Sequence, residues 1–235
     1  MSSEQLLLLP LWYVVFLLAV TCHEGAHALA AYRGGDPTAY LGGQVSLNPL
    51  PHIQREPIGT LVVPLVSYFM AGWMIGWASA PYDPHWEQRH PRRAAAMAAA
   101  GPLANLLLAA LGFAALKMGL VAGFWSPPIS GDFYEFRFDR LVVPTAEGAA
   151  AIDALGRLCS ILLSLNLVLF LFNLIPLPPM DGSAVLSGLF EPFRRLRDRM
   201  REVPMMGLIG LLIAWKLFGF IFVPVYTPIV MALYP

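Results

Sequence analysis

Charge is scarce in this chain. Asp, Glu, Lys and Arg supply 13% of its 235 residues, where a soluble domain carries about 25%. Fifteen Lys+Arg balance fifteen Asp+Glu, so the formal net charge is zero. Without a basic excess there is no field to hold a polyanion, and nucleic acid is excluded as a partner. Cysteine is scarcer still, with Cys22 and Cys159 only, both inside apolar runs. That rules out a disulfide framework and a CxxC metal pair. No internal repeat and no polar stretch long enough for a separate soluble domain can be found. What fills the sequence instead is hydrophobic residues, at 57% against a usual 45–50% or so. A disordered chain cannot be this apolar, and a soluble globule is a poor fit.

The apolar residues gather into five stretches, roughly 6–32, 58–80, 94–121, 149–175 and 205–233. Each reaches the ~20 residues a helix needs to cross a hydrocarbon core about 30 Å thick. Nearly every charge lies between them, so the fold expected is an all-α polytopic membrane protein, a transmembrane helix bundle in one domain over residues 1–235. The first stretch lacks the basic start of a signal peptide and is too long for its apolar region, so it reads as a retained helix. Residues 38–47, Thr-Ala-Tyr-Leu-Gly-Gly-Gln-Val-Ser-Leu, look like a short strand broken by a glycine pair. This predicts a small membrane-associated β element after the first helix. Residues 124–148, with Asp132, Glu135, Asp139 and Glu147, read as a solvated loop, and 191–202 carries a run of arginines.

The first stretch ends in His23-Glu24-Gly25-Ala26-His27. Positions i and i+4 share one helix face, so both imidazoles can reach one Zn²⁺. Glu24 points about 100° away, towards a water on the metal rather than the metal itself. Zinc lowers the pKa of such a water from 15.7 towards about 7, and a carboxylate can then take its proton. Chance could produce HExxH, but three ionisable side chains inside an apolar helix are costly to place without a function. A catalytic zinc usually takes three protein ligands. The fourth stretch ends Asn173-Leu-Ile-Pro-Leu-Pro-Pro-Met-Asp181-Gly182. Its prolines break the helix and free the backbone to turn a carboxylate inward. Asp181 is therefore the third-ligand candidate, and capping a short helix is its alternative role.

HExxH in a first membrane helix, Ala-Gly-Pro-Leu-Ala-Asn at 100–105 and Asn-x-x-Pro-x-Pro-x-x-Asp-Gly at 173–182, in that order, resemble the site-2 protease family of intramembrane zinc metalloproteases. The similarity covers about 6–189, which would be the catalytic core, with 205–233 as a C-terminal membrane segment. It implies one Zn²⁺ per chain on His23, His27 and Asp181, with Glu24 as general base. Met180 stands where the family often has Leu, a change that conserves volume. The stretch Leu47-Asn-Pro-Leu-Pro-His52-Ile resembles the small bacterial-type branch without PDZ or CBS modules. The implied partners are the lipid bilayer and a transmembrane protein substrate.

Asn105 and Asn173 are amides in apolar helices, suited either to interhelical hydrogen bonds or to holding an oxyanion. His52, His85 and His90 fall in loops, are expected to be solvated or interfacial, and are not assigned to zinc. Cys22 is expected to pack in the core, and Lys216 to snorkel towards an interface. The strand, through Tyr40, Leu41, Gln44 and Val45, would take an unwound substrate segment by β-augmentation. Two rivals stand beside the protease: a metal or proton transporter using the same ionisable residues, and a pseudoprotease that binds membrane proteins without cutting them. Topology adds a constraint. His23 and His27 lie near the far end of the first stretch and Asp181 beyond the far end of the fourth, so a shared metal requires these stretches to run parallel. One stretch between them must then fail to cross, and 58–80, interrupted by Pro64, Gly72 and Gly76, is the one expected to re-enter. The positive-inside rule then places the site nearer the cytoplasm of a bacterial cell.

Overall fold

The computed structural model describes residues 3–128, 137–146 and 148–234. Asp132, Glu135 and Glu147 of the expected acidic loop lie outside them. Four helices are long and apolar enough to cross a membrane: α1 (Ser3–Arg33), α6 (Pro91–Val121), α7 (Ala150–Asn173) and α10 (Met206–Met231). Their apolar residues run all round rather than along one stripe, as expected where lipid faces part of each helix. α7 is the central helix, with 67% of its apolar window buried, whereas α10 is peripheral, with 17%. The chain is a multi-pass membrane protein. Between these helices lie the short α2 (Thr38–Leu41), α3 (Leu50–Arg55), α4 (Val63–Ala71) and α5 (Pro84–Arg89). Beyond α7 come α8 (Asp181–Leu189) and the arginine-rich α9 (Glu191–Glu202).

Ion pairs fix the direction of the helices. Arg157, near the start of α7, is buried and meets Glu4 at the start of α1 (3.0 Å), Asp139 (3.0 Å) and Asp153 (2.8 Å). The two helices therefore begin on one side and run parallel, as a shared metal demands. Asp139 is thus a partner in a buried ionic cluster, not the solvated loop residue expected. At the same side, Lys117 near the end of α6 donates to the carbonyls of Ala232 and Leu233 beyond α10. The opposite side is tied by Arg197 of α9 on Glu87 of α5 (2.9 Å) and by Trp86 Nε1 donating to Gly34 O (3.1 Å).

Residues 58–80 form a hairpin that returns to the side it left. A π-helical turn, Ile58–Val62, leads into α4, and Gly72 ends it in the left-handed region at φ +79°, where a side chain would be strained. The chain then comes back without regular structure. Trp77 N–H donates to Gly59 O (3.1 Å) and Ile75 N–H to Ser67 Oγ (2.9 Å), which locks the two limbs together. The tip reaches the beginning of α1, where Tyr68 donates its hydroxyl proton to Gln5 O (2.6 Å).

The strand expected over 38–47 does not form. Asp36 accepts hydrogen bonds from the backbone N–H and the hydroxyl of Thr38, which starts the helical turn α2 and carries Tyr40 and Leu41 with it. Its second oxygen accepts from Asp83 N–H (2.8 Å). Burial works to raise the Asp36 pKa, but these hydrogen bonds outweigh it and hold the carboxyl below its usual range. Gln44 and Val45 follow in irregular backbone after a turn at Gly43. Among the described residues the one sheet is a two-residue antiparallel ladder, β1 (Trp125–Ser126) on β2 (Val143–Pro144), which follows α6 rather than α1. The arrangement sets an accessibility pattern. Single cysteines at Gly35, Arg89 and Asp198, in a variant lacking Cys22 and Cys159, are expected to react with an impermeant thiol reagent from one face of a vesicle. A cysteine at Thr145 should react only from the other.

Candidate metal centre

Three side chains from two helices converge below the arginine-rich side. α1 contributes His23 and His27, one turn apart, and α8 contributes Asp181, its first residue. His23 Nε2 lies 2.9 Å from His27 Nε2. Asp181 Oδ2 lies 3.1 Å from the first and 3.4 Å from the second. With metal–ligand bonds of 2.0–2.1 Å, tetrahedral geometry spaces ligand atoms by about 3.3 Å. The observed triangle is close to that spacing. The capping role for Asp181 does not hold, because the residue sits inside the helix and turns its carboxylate to the imidazoles.

Which ring nitrogen faces the centre is decided from behind. His27 Nδ1 lies 2.7 Å from the carbonyl of Met97 on α6, which can only accept, so Nδ1 carries the proton. His23 Nδ1 lies 2.5 Å from Asn105 Oδ1. The Asn105 amide cannot be reversed, since its Nδ2 already donates to Asn166 Oδ1 (2.9 Å) and to Ala19 O (3.3 Å). Asn166 is held in turn by donating to Leu162 O (2.9 Å). With Nδ1 engaged from behind, each imidazole in its neutral form would present an unprotonated Nε2 to one point, the state a metal requires.

Space for the ion comes from Gly101, one turn before Asn105. A Cβ there would lie 2.3 Å from His27 Nε2 and 2.6 Å from His23 Nε2, crowding both ligand nitrogens. The donor set and this gap both fit zinc.

The centre opens into a cavity of about 1280 Å³ bounded by α1, the return limb of the hairpin, α7 and α10. Glu24, almost wholly buried, lies on its wall beside the histidines. Asn173 also lines the cavity, with its Nδ2 turned back to Leu169 O (3.0 Å). Asn105 is fully buried and serves His23 instead. Tyr40 and Leu41 are exposed, Tyr40 stacking on Tyr32, and neither lines the cavity. Gln44 is buried, and the nearby Ser46 carbonyl packs on Gly25 of α1. His52, expected to be solvated or interfacial, is buried with Nε2 against Ser46 O (3.2 Å), because the 44–52 segment folds over α1.

Asn166 belongs to the site yet was missed. An amide in an apolar helix was the available signal, the same one that marked Asn105. The Met97 carbonyl carries no signal at all, since any residue would supply it. Gly101 was visible only as part of a motif.

The sequence model of peptidase family M50 matches residues 11–215. A relative in Bacillus subtilis named "Putative zinc metalloprotease YwhC" is 34% identical over 208 residues, covering 88% of this chain and 80% of its own length. One in Mycolicibacterium smegmatis named "Putative zinc metalloprotease Rip2" is 27% identical over 191 residues, covering 78% of this chain and 61% of its own. The Mycobacterium tuberculosis protein of the same name is 27% identical over 213 residues, covering 90% and 70%. No solved structure matches significantly. With the family's pattern spanning most of the chain and its helices built for a bilayer, this protein belongs to peptidase family M50, the site-2 protease family, and is a membrane zinc metalloprotease.

Proposed function

We propose that the protein is an endopeptidase that hydrolyses peptide bonds in or near the transmembrane segment of another membrane protein. The observation that carries this reading is the convergence of two Nε2 atoms and one carboxylate oxygen on a single point, beside Glu24, in the wall of a cavity set among membrane helices. His23, His27 and Asp181 hold one zinc ion per chain. Bound there, zinc supplies a Lewis acid that makes water nucleophilic near neutral pH. Glu24 accepts the proton of the attacking water and returns it to the departing amine. Asn173, on the cavity wall, would donate the second hydrogen of its Nδ2 to the oxygen that gains charge. Asn105 and Asn166 fix the tautomer and orientation of His23.

A transmembrane helix hides its peptide bonds in its own hydrogen-bond ladder and must unwind to be cut. The return limb of the hairpin is suited to hold the unwound segment. Ile75 and Trp77 direct their N–H groups to the helical limb. Gly76, between them, and Ala78, after Trp77, both line the cavity, where N–H groups alternating with those of Ile75 and Trp77 would meet a substrate backbone. Arg33, Arg55, Arg89, Arg92, Arg93 and the α9 arginines share the side where the site opens. On the opposite side Arg137 and Arg157 are paired with acids. The positive-inside rule then puts the site towards the cytoplasm of a bacterial cell membrane.

Zinc titration of purified protein under a competing chelator tests the reading. Asp181→Asn keeps the shape but removes a charged oxygen ligand, so zinc affinity should fall by more than the roughly 10–100-fold typical of losing an outer partner. Unchanged affinity would remove Asp181 from the site. Asn105→Leu, which strips His23 of its acceptor while leaving all three ligands, should fall within that 10–100-fold range. Chelator-sensitive cleavage of a single-span model substrate, measured on the same protein, completes the test; flux of metal or protons without cleavage would replace it with a transporter.

A further inference from the structure

The chain has two lysines, and they are placed very differently. Lys117 is satisfied by the carbonyls of Ala232 and Leu233. Lys216 is exposed on α10 and, among the described residues, has no hydrogen-bond or ion-pair partner. It sits ten residues, or about 15 Å, from the start of α10 at Met206. That helix is about 39 Å long and the hydrocarbon core about 30 Å thick, which leaves Lys216 about 10 Å below the boundary. A lysine side chain does not reach that far. An ionisable residue at membrane depth calls for a partner of opposite charge.

The surroundings say where that partner comes from. Leu212 and Trp215, one turn and one residue before Lys216, line the cavity of the metal centre. Trp215 also stacks on Trp73 at the hairpin tip, with ring centroids 6.0 Å apart. Lys216 therefore stands on the flank of the cavity, facing lipid. Gly219, at i+3 on the same face, has nothing within 4 Å of where a Cβ would be. The backbone of α10 is open there to close approach by another helix. Ala214, two residues before Lys216, packs in one cluster with Met180, the residue before Asp181, so lysine and metal ligands lie at similar depth.

We propose that Lys216, with Leu212 and Gly219 beside it, is a recognition site for a carboxylate carried within the transmembrane segment of the protein to be cleaved. The inference rests on the endopeptidase reading and adds a substrate class to it: single spans with an Asp or Glu at mid-membrane depth. The acid is recognised while the segment is still helical, at the level where the chain must later unwind. Lys216 acts in specificity, at the flank of the cavity, and takes no part in the chemistry.

The test uses full-length, zinc-loaded protein in phosphatidylcholine vesicles. Three single-span peptides differ only at one mid-membrane position, Leu, Glu or Lys. Binding is read by energy transfer between labelled protein and peptide, and cleavage is followed on the same samples. The Glu peptide is expected to bind at least about tenfold more tightly than the Leu peptide, since one well-placed charge pair is worth that much or more. Lys216→Leu should erase the difference, Lys216→Arg should keep it, and Lys216→Glu should shift the preference to the Lys peptide. Equal binding of all three by the wild type, as a lysine serving only lipid phosphate would give, overturns the proposal. So does a preference that survives in Lys216→Leu. A binding preference without any cleavage supports the recognition site and removes the endopeptidase. Equal binding with equal cleavage of all three does the reverse.

Discussion

Glu24→Gln is expected to retain zinc and to lose peptide hydrolysis by a factor of about 10²–10⁴. The amide keeps the volume of the carboxylate in a nearly closed position on the cavity wall, so packing around it should hardly change. It contributes no ligand atom to the His23, His27 and Asp181 cluster, so metal affinity should be preserved. What it cannot do is accept the proton of the attacking water. Bound zinc by elemental analysis and single-turnover cleavage of a model substrate, measured on one preparation, separate the two properties. Activity above about a hundredth of wild type would sink the assignment, because loss of a general base costs at least that much. A loss of metal in parallel with activity would sink it as well.

Gly101→Ala should do the opposite and empty the site. The added methyl would stand 2.3 Å and 2.6 Å from the two Nε2 atoms, well inside van der Waals contact. The histidines cannot step aside freely, since Met97 O and Asn105 Oδ1 hold both rings from behind. Zinc affinity is expected to drop by at least the upper end, about 100-fold, of what an outer-sphere change costs. Alanine favours a helix over glycine by about 0.8–1.0 kcal/mol, so the backbone of α6 has no reason to object. A protein that folds, inserts and binds no metal is thus the expected result. Normal zinc binding in Gly101→Ala would mean that the ion does not occupy the space between the imidazoles.

Helices were the most legible part of the fold because a bilayer demands long apolar runs, and α1, α6, α7 and α10 follow the stretches closely. The parallel course of α1 and α7, and the hairpin between them, could be reasoned from His23, His27 and Asp181 sharing one ion. The strand over 38–47 failed for a local reason. The segment looked like a short strand broken by a glycine pair, but Asp36 offers Thr38 two hydrogen bonds that wind the chain into a turn first. The convergence of His23, His27 and Asp181 was legible because a shared ion would dictate their spacing. Asn166 and the Met97 carbonyl were not, since their part depends on how α6 and α7 pack against α1, which no local pattern encodes. Asp139 was misread for the same reason: its partner Arg157 lies 18 residues on, in the next helix.

The candidate metal ligands lie far apart in sequence, His23 and Asp181 being 158 positions apart. An ion held by both is therefore also a clasp between α1 and α8, with α6 gripped through the hydrogen bonds behind the imidazoles. The bundle otherwise joins these helices by packing and by pairs near their ends. Loading and assembly then become linked equilibria: at free zinc a hundred times its dissociation constant, the clasped form gains about 2.7 kcal/mol over any form that cannot bind. Without zinc, α8 and its carboxylate would be held by packing alone, chiefly on α6. Metal supply would in this way set the stability of the assembled bundle as well as whether it cuts.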